Sequence, residues 1–199
     1  MYSSNAYSNR SWPQNIWLLI IKVGAPNIPF SWASLVASFN LSLIICSLIV
    51  SKTNNGRIKT RQFQWVQEFL KILSHSLDEK RDKSQELKVI DLGCGHAYLT
   101  LAAHKYLINQ GYKVKTLGID ERQESRERNI ALVDKLKMSK EITFQATKIA
   151  KLELAKVDIA IALHACDTTS DDAISWAVKS GVEMILVAPC CHHDIQRQM

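Results

Sequence analysis

The sequence predicts an α/β fold built on a parallel sheet, and three observations predict it. Five short apolar runs, at 87–91, 114–119, 141–145, 157–163 and 183–188, have the length and β-branched content of buried strands. Helical stretches fall between them near 97–109, 122–137 and 170–180. Strands that alternate with helices pair in parallel and carry the helices on both faces. The first run also leads directly into a Gly-x-Gly turn, Gly93-Cys94-Gly95, as in sheets that receive ligands at their carboxyl edge.

The elements follow in order. Residues 1–58 form an atypical N-terminal extension, rich in Ser, Asn and Trp, with no charge from Val23 to Ser51. Its later part, 35–50, is apolar apart from Ser38, Asn40, Ser42 and Ser47. That length nearly crosses a bilayer, which needs about 20 mostly apolar residues. If it crosses, Lys52, Arg57, Lys59 and Arg61 hold the C-terminal side in the cytoplasm. An organelle-targeting peptide and an atypical start to the reading frame are the other two readings. A second region, 59–199, reads as one domain. Phe63, Val66, Phe69, Leu70, Leu73 and Leu77 recur at helical spacing and mark an amphipathic helix. A charged connection, Asp78 to Glu86, leads to the first strand. Thr169-x-x-Asp172 reads as a capping box for the last helix, and Gly181 as its stop. Asp171 and Asp172 are explained by that helix's first turn, where the dipole favours acids.

The turn narrows the ligand. Glycine permits close backbone approach, and the helix that follows offers free N–H groups. Asp120 ends the next strand, where a carboxylate can accept both hydroxyls of a ribose. A dinucleotide fold wants G-x-G-x-x-G, but Tyr98 stands at the third-glycine position, and no G-x-x-x-x-G-K-[ST] loop is present. The pattern Asp91-x-Gly93-x-Gly95-x-Ala97 resembles motif I of class I S-adenosylmethionine-dependent methyltransferases, whose sheet is Rossmann-like. The resemblance implies S-adenosyl-L-methionine as cofactor, bound by Asp91, Gly93, Cys94, Gly95 and Asp120. The sheet of that class normally carries two further strands after the fifth, the last antiparallel. Met199 leaves no room for them, so a partial five-stranded sheet with an open edge is expected, in a truncated chain or one completed by a partner.

A second constellation follows strands four and five, at His164-Ala165-Cys166-Asp167-Thr168-Thr169-Ser170-Asp171-Asp172 and Pro189-Cys190-Cys191-His192. Both leave the same carboxyl edge as the glycine turn. These motifs resemble a methyltransferase-domain family that includes the methyltransferase-like 25 proteins and the glutathione-S-transferase C-terminal-domain-containing protein. The tRNA ribose 2′-O-methyltransferases are more distant relatives. Lys59-x-x-Gln62 also matches that family, and the resemblance spans roughly 59–199. It implies that His164, Cys166 and Asp167 line the methyl end of the cofactor. His164 can serve as general base, and Asp167 can orient it or the substrate. A cysteine nucleophile, Cys190 among the candidates, is a different chemistry open to the same groups. Ala146-Thr147-Lys148 stands where many relatives place an acid near adenine, so adenine recognition is unassigned. Cys190, Cys191, His192 and His193 cluster with His164 and Cys166, but the spacing is not that of a zinc site, and no metal is expected.

Charge limits the partners. Residues 1–67 contain Arg10, Lys22, Lys52, Arg57, Lys59 and Arg61 and no acid. The net charge of +6 therefore belongs to the N-terminal third, and the remainder is balanced. A nucleic-acid surface on the domain gains no support from charge, although the resemblance makes RNA a reasonable methyl acceptor beside a small molecule or a protein. The cysteines, Cys46, Cys94, Cys166, Cys190 and Cys191, are odd in number, and four of the five lie in segments of intracellular character. They favour a reducing, cytoplasmic setting over a disulfide scaffold. The rival reading is a catalytically inactive cofactor-binding or scaffold fragment.

Overall fold

A computed structural model of the chain describes residues 3–7, 18–22, 60–77, 81–163 and 168–188. They fall into two compact units. The first unit is built on a sheet of seven strands in the order β1-β2-β7-β6-β3-β4-β5. The strands are β1 (Ser3–Tyr7), β2 (Leu18–Lys22), β3 (Glu86–Leu92), β4 (Lys113–Asp120), β5 (Ile142–Ala146), β6 (Ile159–Leu163) and β7 (Met184–Ala188). Strands β3 to β7 are the expected five, and they run parallel in a Rossmann-like arrangement.

One expectation about the sheet is corrected. The edge beside β7 is not open: β2 pairs antiparallel with β7, with Leu19 opposite Val187 and Lys22 opposite Met184, and β1 pairs antiparallel with β2. The sequence reading assigns no strand to 3–7 or 18–22. An uncovered edge presents a row of unpaired N–H and C=O groups. The residues that cover this one come from the start of the chain, so no local pattern near β7 announces them.

The strand order determines where a ligand can sit. The chain runs outward from β3 through β4 to β5, then returns to the other side of β3 for β6 and β7. The switch point thus lies between β3 and β6, the place where open α/β sheets leave a crevice beyond their carboxyl ends. Every residue of β6 and of β7 is buried, as expected of parallel strands covered on both faces. Ile90, Leu92, Ile119, Ala160, Ala162, Ile185 and Val187 form the sheet's part of the core. Against them lie Ala173, Trp176 and Ala177 of α4 (Thr168–Lys179) and Ile149 of a 3₁₀ turn (Ile149–Lys151). The Trp176 indole N–H donates to the Glu153 carbonyl at 3.1 Å, so its one polar atom is satisfied in the interior.

Helix α4 begins at Thr168, so Thr169 lies inside its first turn and is not the cap the sequence pattern suggested. The Gly181 stop is present. Gly181 has φ +64°, its N–H donates to Val178, and the Val182 N–H donates to Ala177. That pair of bonds is a Schellman motif.

The second unit contains α1 (Thr60–Ser76), α2 (Tyr98–Asn109) and the beginning of β4. Phe69, Leu70 and Leu73 of α1 are buried, the spacing expected of its apolar stripe, and α1 touches α2. Lys83 donates to the Gln110 carbonyl at 2.7 Å and lies 5.2 Å from the centre of the Tyr112 ring. The apolar run 35–50 lies outside the described residues. Among the described residues, no helix is long and apolar enough to cross a membrane.

Candidate functional site

The site is built on the turn that leaves β3. Gly93 and Gly95 hold φ angles of +86° and +52°, and Ala97 holds +58°. Glycine adopts this left-handed region freely, whereas an alanine there is strained by about 1–2 kcal/mol. The alternation is sustained by bonds from elsewhere in the first unit. The Gly93 and Cys94 amides both donate to the Ile119 carbonyl at 2.8 Å. The Gly95 amide donates to Asp120 Oδ2 at 3.0 Å. The Gly95 carbonyl accepts from Asn129 Nδ2 at 2.9 Å and from Arg128 Nη2 at 3.1 Å, both on α3 (Gln123–Lys135). The end of β4 thus grips one side of the Gly95 residue and α3 the other.

Asp120 is 8% exposed, and its carboxylate is fully engaged. Oδ1 accepts the Arg122 amide and Nε, each at 3.0 Å, and Oδ2 accepts Gly95 N–H at 3.0 Å and Arg122 Nη2 at 3.2 Å. Burial pushes this carboxyl upward, but the bonds from Arg122 and Gly95 outweigh it and hold it below the usual carboxylate range. Asp120 is therefore an anion at neutral pH.

Behind the turn the packing is tight. A Cβ on Gly118 would lie 2.5 Å from Phe144 Cδ1 and 3.1 Å from Cys94 Sγ, so this position of β4 admits no side chain without a shift. Burial, with Asp91 and Asp120 nearby, pushes the Cys94 thiol far above its ordinary value. It is a protonated, poor nucleophile at neutral pH. His96, on the turn itself, is held below its ordinary value by burial and by the Arg128 and Arg122 charges, so its imidazole is neutral.

Of the residues singled out from sequence, Asp91, Gly93, Cys94, Gly95 and Asp120 are brought together. Asp91 is buried at the end of β3, in register with Ile161 of β6. From that pair β3 runs one residue further, to Leu92, and β6 two, to Leu163, so β6 ends level with the turn. His164, Cys166 and Asp167 follow β6 immediately and lie outside the described residues, as do Cys190, Cys191, His192 and His193. Four participants, Gly118, Arg122, Arg128 and Asn129, escaped the sequence reading. Gly118 left a signal, an isolated glycine in a strand, which often marks close approach. Arg122, Arg128 and Asn129 left none, because charged and polar residues in a surface helix are ordinary.

The residues present suit an adenosine-type group. The left-handed turn gives close access to main chain, and an ionised acid sits beside it at a switch point.

Residues 59–198 match the sequence pattern of a family described as methyltransferase domain. No curated protein matches the chain. Solved structures that resemble it include YjhP from E. coli, at 15% identity and a TM-score of 0.44, over 69% of this chain and 51% of that one. A SAM-dependent methyltransferase from Aquifex aeolicus is 20% identical, with a TM-score of 0.38, over 47% and 50%. PKMT2 from Rickettsia typhi, solved with AdoHcy, is 22% identical, with a TM-score of 0.39, over 47% and 18%. The chain therefore spans about half or less of the length of these structures. The sequence match covers most of the chain, and on it the protein belongs to the methyltransferase domain family.

Proposed function

We propose that the protein transfers a methyl group from S-adenosylmethionine to a nucleophilic oxygen or nitrogen of an acceptor. RNA is the acceptor class favoured by the resemblance of the His164 and Pro189 motifs to RNA-modifying relatives. The observation that carries the reading is the bond from the Gly95 amide to Asp120 at 3.0 Å. It joins a left-handed glycine turn to an ionised strand-end acid at the switch point of a parallel sheet. The cofactor supplies a methyl group on a sulfonium, already a good leaving group.

The protein's own task is then mainly positioning. Asp120 accepts the ribose hydroxyls, Gly93, Cys94 and Gly95 give access to the main chain, and Asp91 is the further acid that binds the cofactor. His164 takes the proton from the acceptor atom, Asp167 orients that imidazole, and Cys166 lines the methyl end. Cys94, protonated and packed against Gly118, has no part as a nucleophile. The domain faces a reducing, cytosolic compartment in this reading.

Calorimetry of S-adenosylmethionine and S-adenosylhomocysteine against the full chain tests the cofactor, with Asp120→Ala as control. Binding that falls more than about tenfold in the variant is expected, the loss that follows when charge-assisted bonds are removed. No binding by folded wild type overturns the reading. Labelled methyl incorporation into total RNA against total protein then tests the acceptor. Tight cofactor binding with no transfer to either would favour the inactive scaffold.

A further inference from the structure

The Asp120 carboxylate offers about four acceptor positions, two on each oxygen. All are taken: by the Gly95 amide, the Arg122 amide, and Arg122 Nε and Nη2. A ribose diol needs two of them. The two main-chain donors cannot leave without reshaping the turn and the start of α3. The guanidinium can, since the Arg122 side chain is 61% exposed and, among the described residues, its hydrogen bonds are those two to Asp120. The same guanidinium lies over the turn, its Nη2 3.9 Å from where a Cβ on Gly95 would stand. It thus covers the side of Gly95 on which the glycine leaves space.

We propose that Arg122 is a built-in competitor for the ribose diol, so that cofactor binding requires its guanidinium to swing off Asp120. This rests on the adenosine-cofactor reading above and adds to it a residue that sets the affinity. Arg122 weakens binding by occupying the acid, and it does so in proportion to the strength of an ion pair whose guanidinium is exposed and whose carboxylate is buried. The exposed guanidinium leaves the pair open to screening, so the competition weakens as salt rises. The competitor therefore tunes affinity without abolishing it.

The test is calorimetry of S-adenosylhomocysteine, a ligand without net charge, against the full chain as wild type, Arg122→Ala and Arg122→Lys, at low and high salt. The expected result is binding about two- to fivefold tighter in Arg122→Ala. Arg122→Lys should fall between, since it keeps the charge and loses the fork. Salt should tighten binding by wild type and leave Arg122→Ala unaffected. Unchanged or weaker binding in Arg122→Ala overturns this proposal alone, and the weaker case would make the guanidinium a clamp on the ligand. Absence of binding by all three folded proteins overturns the cofactor reading together with this one. The shift of the Arg122 Nε–H resonance on adding the ligand gives a second readout. A guanidinium that stays on Asp120 in the complex also overturns the proposal.

Discussion

Two glycine turns in this chain use the same backbone conformation and are held in different ways. At Gly181, φ +64°, the turn closes on its own helix: the Gly181 and Val182 amides donate to Val178 and Ala177, a few residues upstream. At Gly93 and Gly95 almost nothing is local. The bonds go to Ile119 and Asp120, which are some 25 residues away, and to Arg128 and Asn129 on the following helix. A turn that only ends a helix can be completed by that helix. A turn that leaves a strand, with no helix of its own to close on, has its hydrogen-bonding groups oriented from elsewhere in the chain. The second arrangement makes the turn depend on residues far from it along the chain.

Three substitutions break or sharpen this contrast. Gly118→Val should have the largest effect, since the new side chain meets Phe144 and the Cys94 sulfur behind the turn. Overpacking of this kind costs about 1–3 kcal/mol. Denaturant titration should show that loss, and S-adenosylhomocysteine affinity should fall with it as Cys94 and the turn are displaced. A variant that is destabilised yet binds normally would mean that the turn is insulated from its packing.

Asn129→Ala comes next. Asn129 is 1% exposed and donates to the Gly95 carbonyl, which keeps only Arg128 as a side-chain donor after the change. Loss of one such bond is worth about 0.5–1.5 kcal/mol. Calorimetry should therefore show affinity reduced by a factor of about two to ten. Unaltered affinity would assign the orientation of Gly95 to Asp120 and Arg128 without Asn129.

Gly181→Ala is the control and the smallest effect on function. An alanine at φ +64° is strained by about 1 kcal/mol, and nothing lies within 4 Å of its Cβ, so the cost is purely of the backbone. Stability should drop by about that amount while cofactor affinity stays within about twofold of wild type. A larger change in affinity would show that the end of α4 is coupled to the glycine turn after all.

Much of the candidate site was legible because its signals are short. Gly93, Gly95 and Asp120 sit at fixed distances along the chain from strands that announce themselves as apolar runs. The Gly181 stop was legible for the same reason. The Thr169 cap was misread, because helix α4 starts two residues earlier than that cap requires and a matching four-residue pattern does not say which residue lies outside the helix. Arg122 and Asn129 were illegible: among the alternating charges just before and along α3, nothing separates a side chain that grips the turn from one that faces water. The cover on β7 was equally hidden, since strand pairing between residues 18–22 and 184–188 is a contact across most of the chain.

By itself, then, the sequence determined the five parallel strands, the turn after the first of them and the acid after the second. Each of these follows from periodicity and from the conformational freedom of glycine, properties that act over a few residues. Only the tertiary structure decided that Asp120 spends all its acceptor positions within the protein, that Asn129 and Arg128 hold the Gly95 carbonyl, and that the N-terminal strands close the sheet beside β7. Hydrogen bonds between distant groups depend on where the folded chain puts them, and residue type alone carries no record of that distance.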